Sequence, residues 1–78
     1  MKITFSQHAL LKLAERNLSQ EFVIKTIKDP DFILPSRGNR ERAYKRFRNN
    51  YLEVIFVKER ESTIVITAHW VAKIARKK

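Results

Sequence analysis

The apolar residues of this 78-residue chain change their period at Pro30, and that change limits what the chain can fold into. Before Pro30, Ala9, Leu10, Leu13 and Ala14 follow Ser6 at helical spacing. This predicts a helix over 6–16, with Ser6 as N-cap and Asn17 as a left-handed terminator. Ser19 caps a second expected helix over 20–28, with Phe22, Val23 and Ile27 on its inner face, and Pro30 ends it. From Asp31 the pattern alternates, and four strands are expected at 31–35, 41–48, 51–58 and 62–70. Leu52, Val54 and Phe56 point one way, as do Ile64, Ile66, Ala68 and Trp70 in the next strand. Asn49-Asn50 and the stretch 58–62 are the polar turns expected between hairpin strands.

Two helices followed by a meander predict an α+β domain, an N-terminal helical hairpin packed on one face of a four-stranded antiparallel sheet. A chain this short buries about 60% of its unfolded surface and holds one core. We therefore expect a single domain over 1–78, with 71–78 as a basic C-terminal tail.

The net charge of +9 is unevenly placed. Between positions 37 and 48, Arg37, Arg40, Arg42, Lys45, Arg46 and Arg48 stand against Glu41, a net of +5. Lys73, Arg76, Lys77 and Lys78 add +4 without an acid, so the rest of the chain is neutral. A surface that tracks phosphates concentrates charge in this way. A solvated loop followed by a basic tail gives the same counts. The tail is amphipathic enough to continue as a short helix and basic enough to remain a phosphate-seeking extension, and the sequence leaves both open.

Alternation sends Ala43 and Phe47 to the core and leaves Arg42, Tyr44, Arg46 and Arg48 on the opposite, open face. In register, Tyr51, Glu53, Thr67 and His69 project to the same side. Guanidinium, phenol, hydroxyl and imidazole groups would then share one surface, which a one-residue slip would dismantle.

Several chemistries have no support in the residues. With no Cys there is no disulfide framework and no thiolate metal site. No Gly-rich phosphate loop, nucleophile elbow or zinc pattern occurs. Asp29 and Asp31 flank Pro30 as turn residues rather than as half of an oxygen-rich cation site. No cofactor and no metal is expected. No apolar run approaches the roughly 20 residues of a membrane span, and the N-terminus lacks signal-peptide order, so the expected location is the cytoplasm.

The stretch FSQHALLKLAERNLSQEFVIKTIKDPDFIL, followed by a basic strand, an apolar strand and a VITAHW ending, resembles a family of small prokaryotic domains of uncharacterised function. The positions that carry the resemblance are Phe5, Ser6, His8, Ala9, Arg16, Val65 and Thr67, over nearly the whole chain to Trp70. That family looks like a relative of the RelE, ParE and BrnT toxins, whose fold is a helical hairpin on a twisted antiparallel sheet. The resemblance implies a toxin of a toxin–antitoxin pair, acting on RNA as a metal-independent endonuclease, with an acidic antitoxin as partner. His69-Trp70 departs from the family pattern, where relatives often carry an aromatic or aliphatic residue.

Such a cleavage needs a base for the 2′-OH proton, an acid for the 5′-oxygen and cations for the phosphorane charge. His8 and His69 are the candidates for acid and base, and Arg16 and Arg46 for the catalytic cations. Arg37, Arg40, Arg42, Tyr44, Lys45, Arg48, Lys73, Arg76, Lys77 and Lys78 are the candidates for contact with RNA, ribosome-associated mRNA included. Structural roles compete at several positions. His8 can help satisfy the helix start, His69 can be a half-buried sheet residue, and Arg16 can pair with a carboxylate across the hairpin. A non-catalytic nucleic-acid module, and a gyrase- or partner-directed protein, are the competing functions.

Overall fold

Two serines start the helices as expected. The Ser6 hydroxyl accepts the Ala9 N–H at 3.0 Å and opens α1 (Gln7–Glu15). The Ser19 hydroxyl accepts the Glu21 N–H at 3.1 Å and opens α2 (Gln20–Lys28). Between them Asn17 takes a φ of 56°, and the Leu18 N–H returns to the Leu13 carbonyl at 2.9 Å while the Asn17 N–H bonds the Ala14 carbonyl. These paired bonds close α1 and turn Leu18 into the core. Glu21 in the first turn of α2 and Lys25 and Lys28 in its last complement the helix dipole.

A computed structural model describes residues 2–72 of the chain. Lys73, Arg76, Lys77 and Lys78 of the expected tail lie outside the described residues. Among those described, the strands are β1 (Lys2–Phe5), β2 (Phe32–Pro35), β3 (Arg40–Phe47), β4 (Asn50–Glu59) and β5 (Ser62–Val71). They form one sheet of order β1-β5-β4-β3-β2. The class is α+β as expected, but the sheet is five-stranded and mixed rather than four-stranded and antiparallel. β2 to β5 form the antiparallel meander, and β1 pairs parallel with β5, Lys2 opposite Ser62 and Phe5 opposite Val65. The added strand is only KITF, too short for a two-residue period to stand out.

Both helices lie on one face, α1 over β5 and α2 over β4 and β3. Ala9, Leu13, Val23 and Ile27 meet Ala43, Leu52, Val54, Phe56, Val65 and Ala68 there, with Ile3, Phe5 and Phe47 packed against them. Thr26, fully buried in α2, donates its hydroxyl to the Phe22 carbonyl at 2.8 Å. Phe22, expected on the inner face of its helix, is 38% exposed at the margin, and Leu10 is 42% exposed. No helix among the described residues is long and apolar enough to cross a membrane.

A bulge corrects the expected inner face of β5. Ile55 pairs with Thr67 but Phe56 pairs with Val65, which leaves Ile66 as an extra residue. Ala68 and Trp70 keep the expected side, whereas before the bulge Thr63 and Val65 are buried and not Ile64 and Ile66. The β3–β4 hairpin also differs by one position. Phe47 pairs with Asn50, so Arg48-Asn49 makes the turn and Arg48 adopts a φ of 61°. Arg48 thus sits at the hairpin tip and not on the open face of β3, because the pairing of Ala43 with Val54 and Lys45 with Leu52 fixes the register.

Two stability measurements check this account. Leu52 is 0% exposed; Leu52→Ala should lower the unfolding free energy by about 2–5 kcal/mol, out of roughly 4–12 kcal/mol for a domain of this length. Arg48→Gly should raise it by about 0.5–1 kcal/mol, because relief of the left-handed φ outweighs the added chain entropy of glycine. Urea midpoints of the two variants against the parent read both effects.

Candidate functional site

The sheet face opposite the helices carries side chains in transverse rows, because directly paired strand residues project to one side. One row runs Phe32, Tyr44, Glu53, His69 across β2, β3, β4 and β5. Beside it lies Leu34, Arg42, Ile55, Thr67, and on the other side Arg46, Tyr51, Val71. The bulge at Ile66 matters here. It lets Thr67 and His69 stay in these rows while Thr63 and Val65 turn into the core.

Glu53 is the hub of the central row. Its Oε1 lies 2.8 Å from His69 Nε2, and its Oε2 accepts the Tyr44 hydroxyl. The Arg42 guanidinium stands 4.0 Å from Oε2, donates to the Tyr44 oxygen at 3.3 Å, and is steadied by the Pro35 carbonyl at 3.1 Å. The Glu53 side chain is 12% exposed and that of His69 is 40% exposed. The carboxylate is therefore sequestered while the imidazole reaches solvent. In the neutral imidazole, donation from Nε2 to Glu53 leaves Nδ1 as the basic nitrogen.

Tyr44 is 4% exposed and stacks on Phe32 at 4.8 Å and 19°. Burial, then the Glu53 hydrogen bond and the Glu53 charge, push its phenol up to about 12, with Arg42 acting in the opposite direction. Tyr44, expected among the residues in contact with RNA, is thus one of the buried side chains of this face. Its ring is already covered, and its hydroxyl serves Glu53.

Arg16 closes α1 and reaches the edge of β5 beyond the end of β1. It donates to the Ala68 carbonyl at 2.8 Å and to the Thr67 hydroxyl at 3.3 Å. Among the described residues no carboxylate pairs with it; it is tied instead to the two residues that precede His69. Arg46 shares the helix-free face, and its Nε donates to the Arg48 carbonyl at 2.8 Å. Its own backbone N–H bonds Asp31 Oδ2 at 2.8 Å. Arg37 lies in the β2–β3 turn and Arg40 begins β3, both exposed.

Two candidates fall elsewhere. Lys45 faces the helices, and its Nζ is held by the Asp29 carbonyl at 2.9 Å and by Asp29 Oδ2 at 3.3 Å, which removes it from the arginine face. The reason is alternation, since Lys45 pairs with the core residue Leu52. His8 is exposed in the first turn of α1, on the helix layer, and no described hydrogen bond or ion pair joins it to the row of His69. Among the described residues no three His, Cys, Asp or Glu side chains gather to hold a metal ion.

Sequence reasoning placed Glu53 on this side but gave it no role. Its signal was present: a lone acid within an apolar alternating run, opposite Tyr44 and two residues from Arg42's partner Ile55.

The raised phenol gives a pH test. Above pH 10 the unfolded tyrosine loses its proton while the folded one keeps it, so the stability that Tyr44 contributes is complete below pH 10 and is lost as pH rises toward 12. In a Tyr51→Phe variant Tyr44 is the sole tyrosine, and its tyrosinate absorbance should appear near pH 12. Adding Glu53→Gln should move that titration down toward 10.

No curated protein and no solved structure matches the chain. A family model does match over residues 5–70, which takes in both helices, all of β2 to β4 and the His69 row. On that match the chain belongs to the family described as a domain of unknown function, DUF4258.

Proposed function

We propose that the protein binds RNA on the helix-free face of its sheet and cleaves it without a metal ion. The observation that carries this is the Tyr44–Glu53–His69 row, in which a sequestered carboxylate orients a solvent-facing imidazole on one side and has the Arg42 guanidinium of the adjacent row near its other oxygen. In the proposed step, Nδ1 of His69 takes the 2′-OH proton, and the 2′-oxygen bonds the adjacent phosphorus. The bond from phosphorus to the 5′-oxygen breaks, and water on this open face protonates the departing oxygen. The products are a 2′,3′-cyclic phosphate and a 5′-hydroxyl. Arg42 acts as the cation for the phosphorane, Arg46 meets the charge of the bound strand farther along the same face, and Arg16 positions the β5 segment that carries His69. Glu53 holds the ring without touching substrate. The wider reading, a toxin whose excess charge is neutralised by an acidic antitoxin, and whose RNA includes ribosome-associated mRNA, draws on the charge of +9.

The placement of His8 on the helix layer, across the sheet from this row, favours a second reading, in which the same face binds nucleic acid without cutting it. One imidazole then serves only to knit the sheet to Glu53. That protein binds with strong salt dependence and releases no cyclic phosphate.

Incubation of the purified protein with RNA in EDTA separates the two. We expect cleavage with cyclic-phosphate ends, a fall of about a hundred- to ten-thousand-fold in rate for His69→Ala, and near-parent activity for His8→Ala. RNA left intact, both free and on ribosomes, would remove the nuclease half and leave the binding module.

A further inference from the structure

Beyond the acid–base row, the same face holds an arginine and an aromatic ring that the chemistry above does not bring together. Arg46 and Tyr51 are direct partners across β3 and β4. The Arg46 guanidinium is held by one donor only, Nε to the Arg48 carbonyl at 2.8 Å, and no described bond engages its terminal amino groups. The carbonyl that holds it belongs to a turn residue kept at a φ of 61°, a conformation that non-glycine residues seldom adopt and that a functional constraint can sustain. The Arg46 backbone is fixed as well, by Asp31. The guanidinium is thus anchored at Nε, and its two-pronged end, with no described partner, is available to an anion.

Tyr51 supplies the other half. Its ring is half-buried and braced at 5.9 Å and 59° against Phe32, while Tyr44 on the same face is covered. A braced ring with one side open loses little conformational entropy when a flat partner stacks on it. The pair lies two residues along both strands from Tyr44 and Glu53, a step of about 7 Å. That is close to one nucleotide of an extended strand.

We infer that Arg46 and Tyr51 form a nucleotide subsite next to the His69 row, with a phosphate on the Arg46 fork and the attached base stacked on Tyr51. Because a π-face is common to all bases, the subsite fixes the register of the strand and not its sequence. It rests on the reading that this face binds RNA, and on the binding half of it alone.

The test is fluorescence anisotropy with a short labelled 2′-O-methyl RNA, whose capped 2′-oxygen cannot attack. Tyr51→Leu, which refills the volume against Phe32 without a π-face, should weaken binding about five- to hundredfold, with no change in salt slope. Tyr51→Phe should bind like the parent. Arg46→Gln should reduce the slope of log affinity against log salt by about 0.7. In the parent protein, removing single bases from the probe should reproduce the Tyr51→Leu loss at one position, and that loss should vanish in Tyr51→Leu itself. The base-removal series needs no variant, so it decides the matter even if Tyr51→Leu fails to fold. Equal tolerance at every position, or parent-like affinity in Tyr51→Leu, overturns the subsite and leaves the nucleic-acid reading standing. A parent protein that shows no salt-dependent affinity for the probe overturns both.

Discussion

A carboxylate shielded from water must be given partners, and Glu53 organises the helix-free face around that need. Its two oxygens draw in a phenol from β3 and an imidazole from β5, with an arginine of β3 close by. The Arg42 pair, at 4.0 Å and partly exposed, contributes little to stability by itself. What the hub supplies is position. Three strands that the hydrophobic core would align only roughly are pinned together on their outer side, and the partly exposed imidazole is held by one nitrogen.

The parts of the fold that were legible in the chain are those governed by local rules. Ser6 and Ser19 start helices because a hydroxyl can reach an unpaired N–H, and Asn17 tolerates the left-handed turn that lets Leu18 fold back. The alternation of Leu52, Val54 and Phe56 marked the buried side of β4 without knowledge of any neighbour. The parts that stayed hidden depend on distant pairing. KITF becomes a strand only because β5 offers it an edge. The bulge at Ile66 arises between strands, so a two-residue count through β5 ran straight past it.

The site divides along the same line. Arg42, Tyr44 and Arg46 fell on the expected face because the registers of β3 and β4 follow from their core residues, and His69 did so because β5 keeps the expected side beyond its bulge. Lys45 belongs to the same basic run yet faces the helices, since charge density along a strand carries no information about side. Arg16 was legible as important but not as a clasp on the edge of β5, for its partners lie 51 and 52 positions away. The role of Tyr44 followed from burial that no count of charges discloses.

The parallel pairing of β1 with β5 has a consequence for the order of assembly. Lys2 meets Ser62 and Phe5 meets Val65, so the first strand to be synthesised is the one whose partner arrives last. Closing so long a segment is slow in relation to hairpin formation. As the chain leaves the ribosome, the helices and the β3–β4 hairpin have emerged while Ile3 and Phe5 still lack an edge to join. His69 travels on the late strand as well. A nascent chain thus displays its arginines before it owns an imidazole beside Glu53, and its helix-free face is completed only as the sheet is sealed.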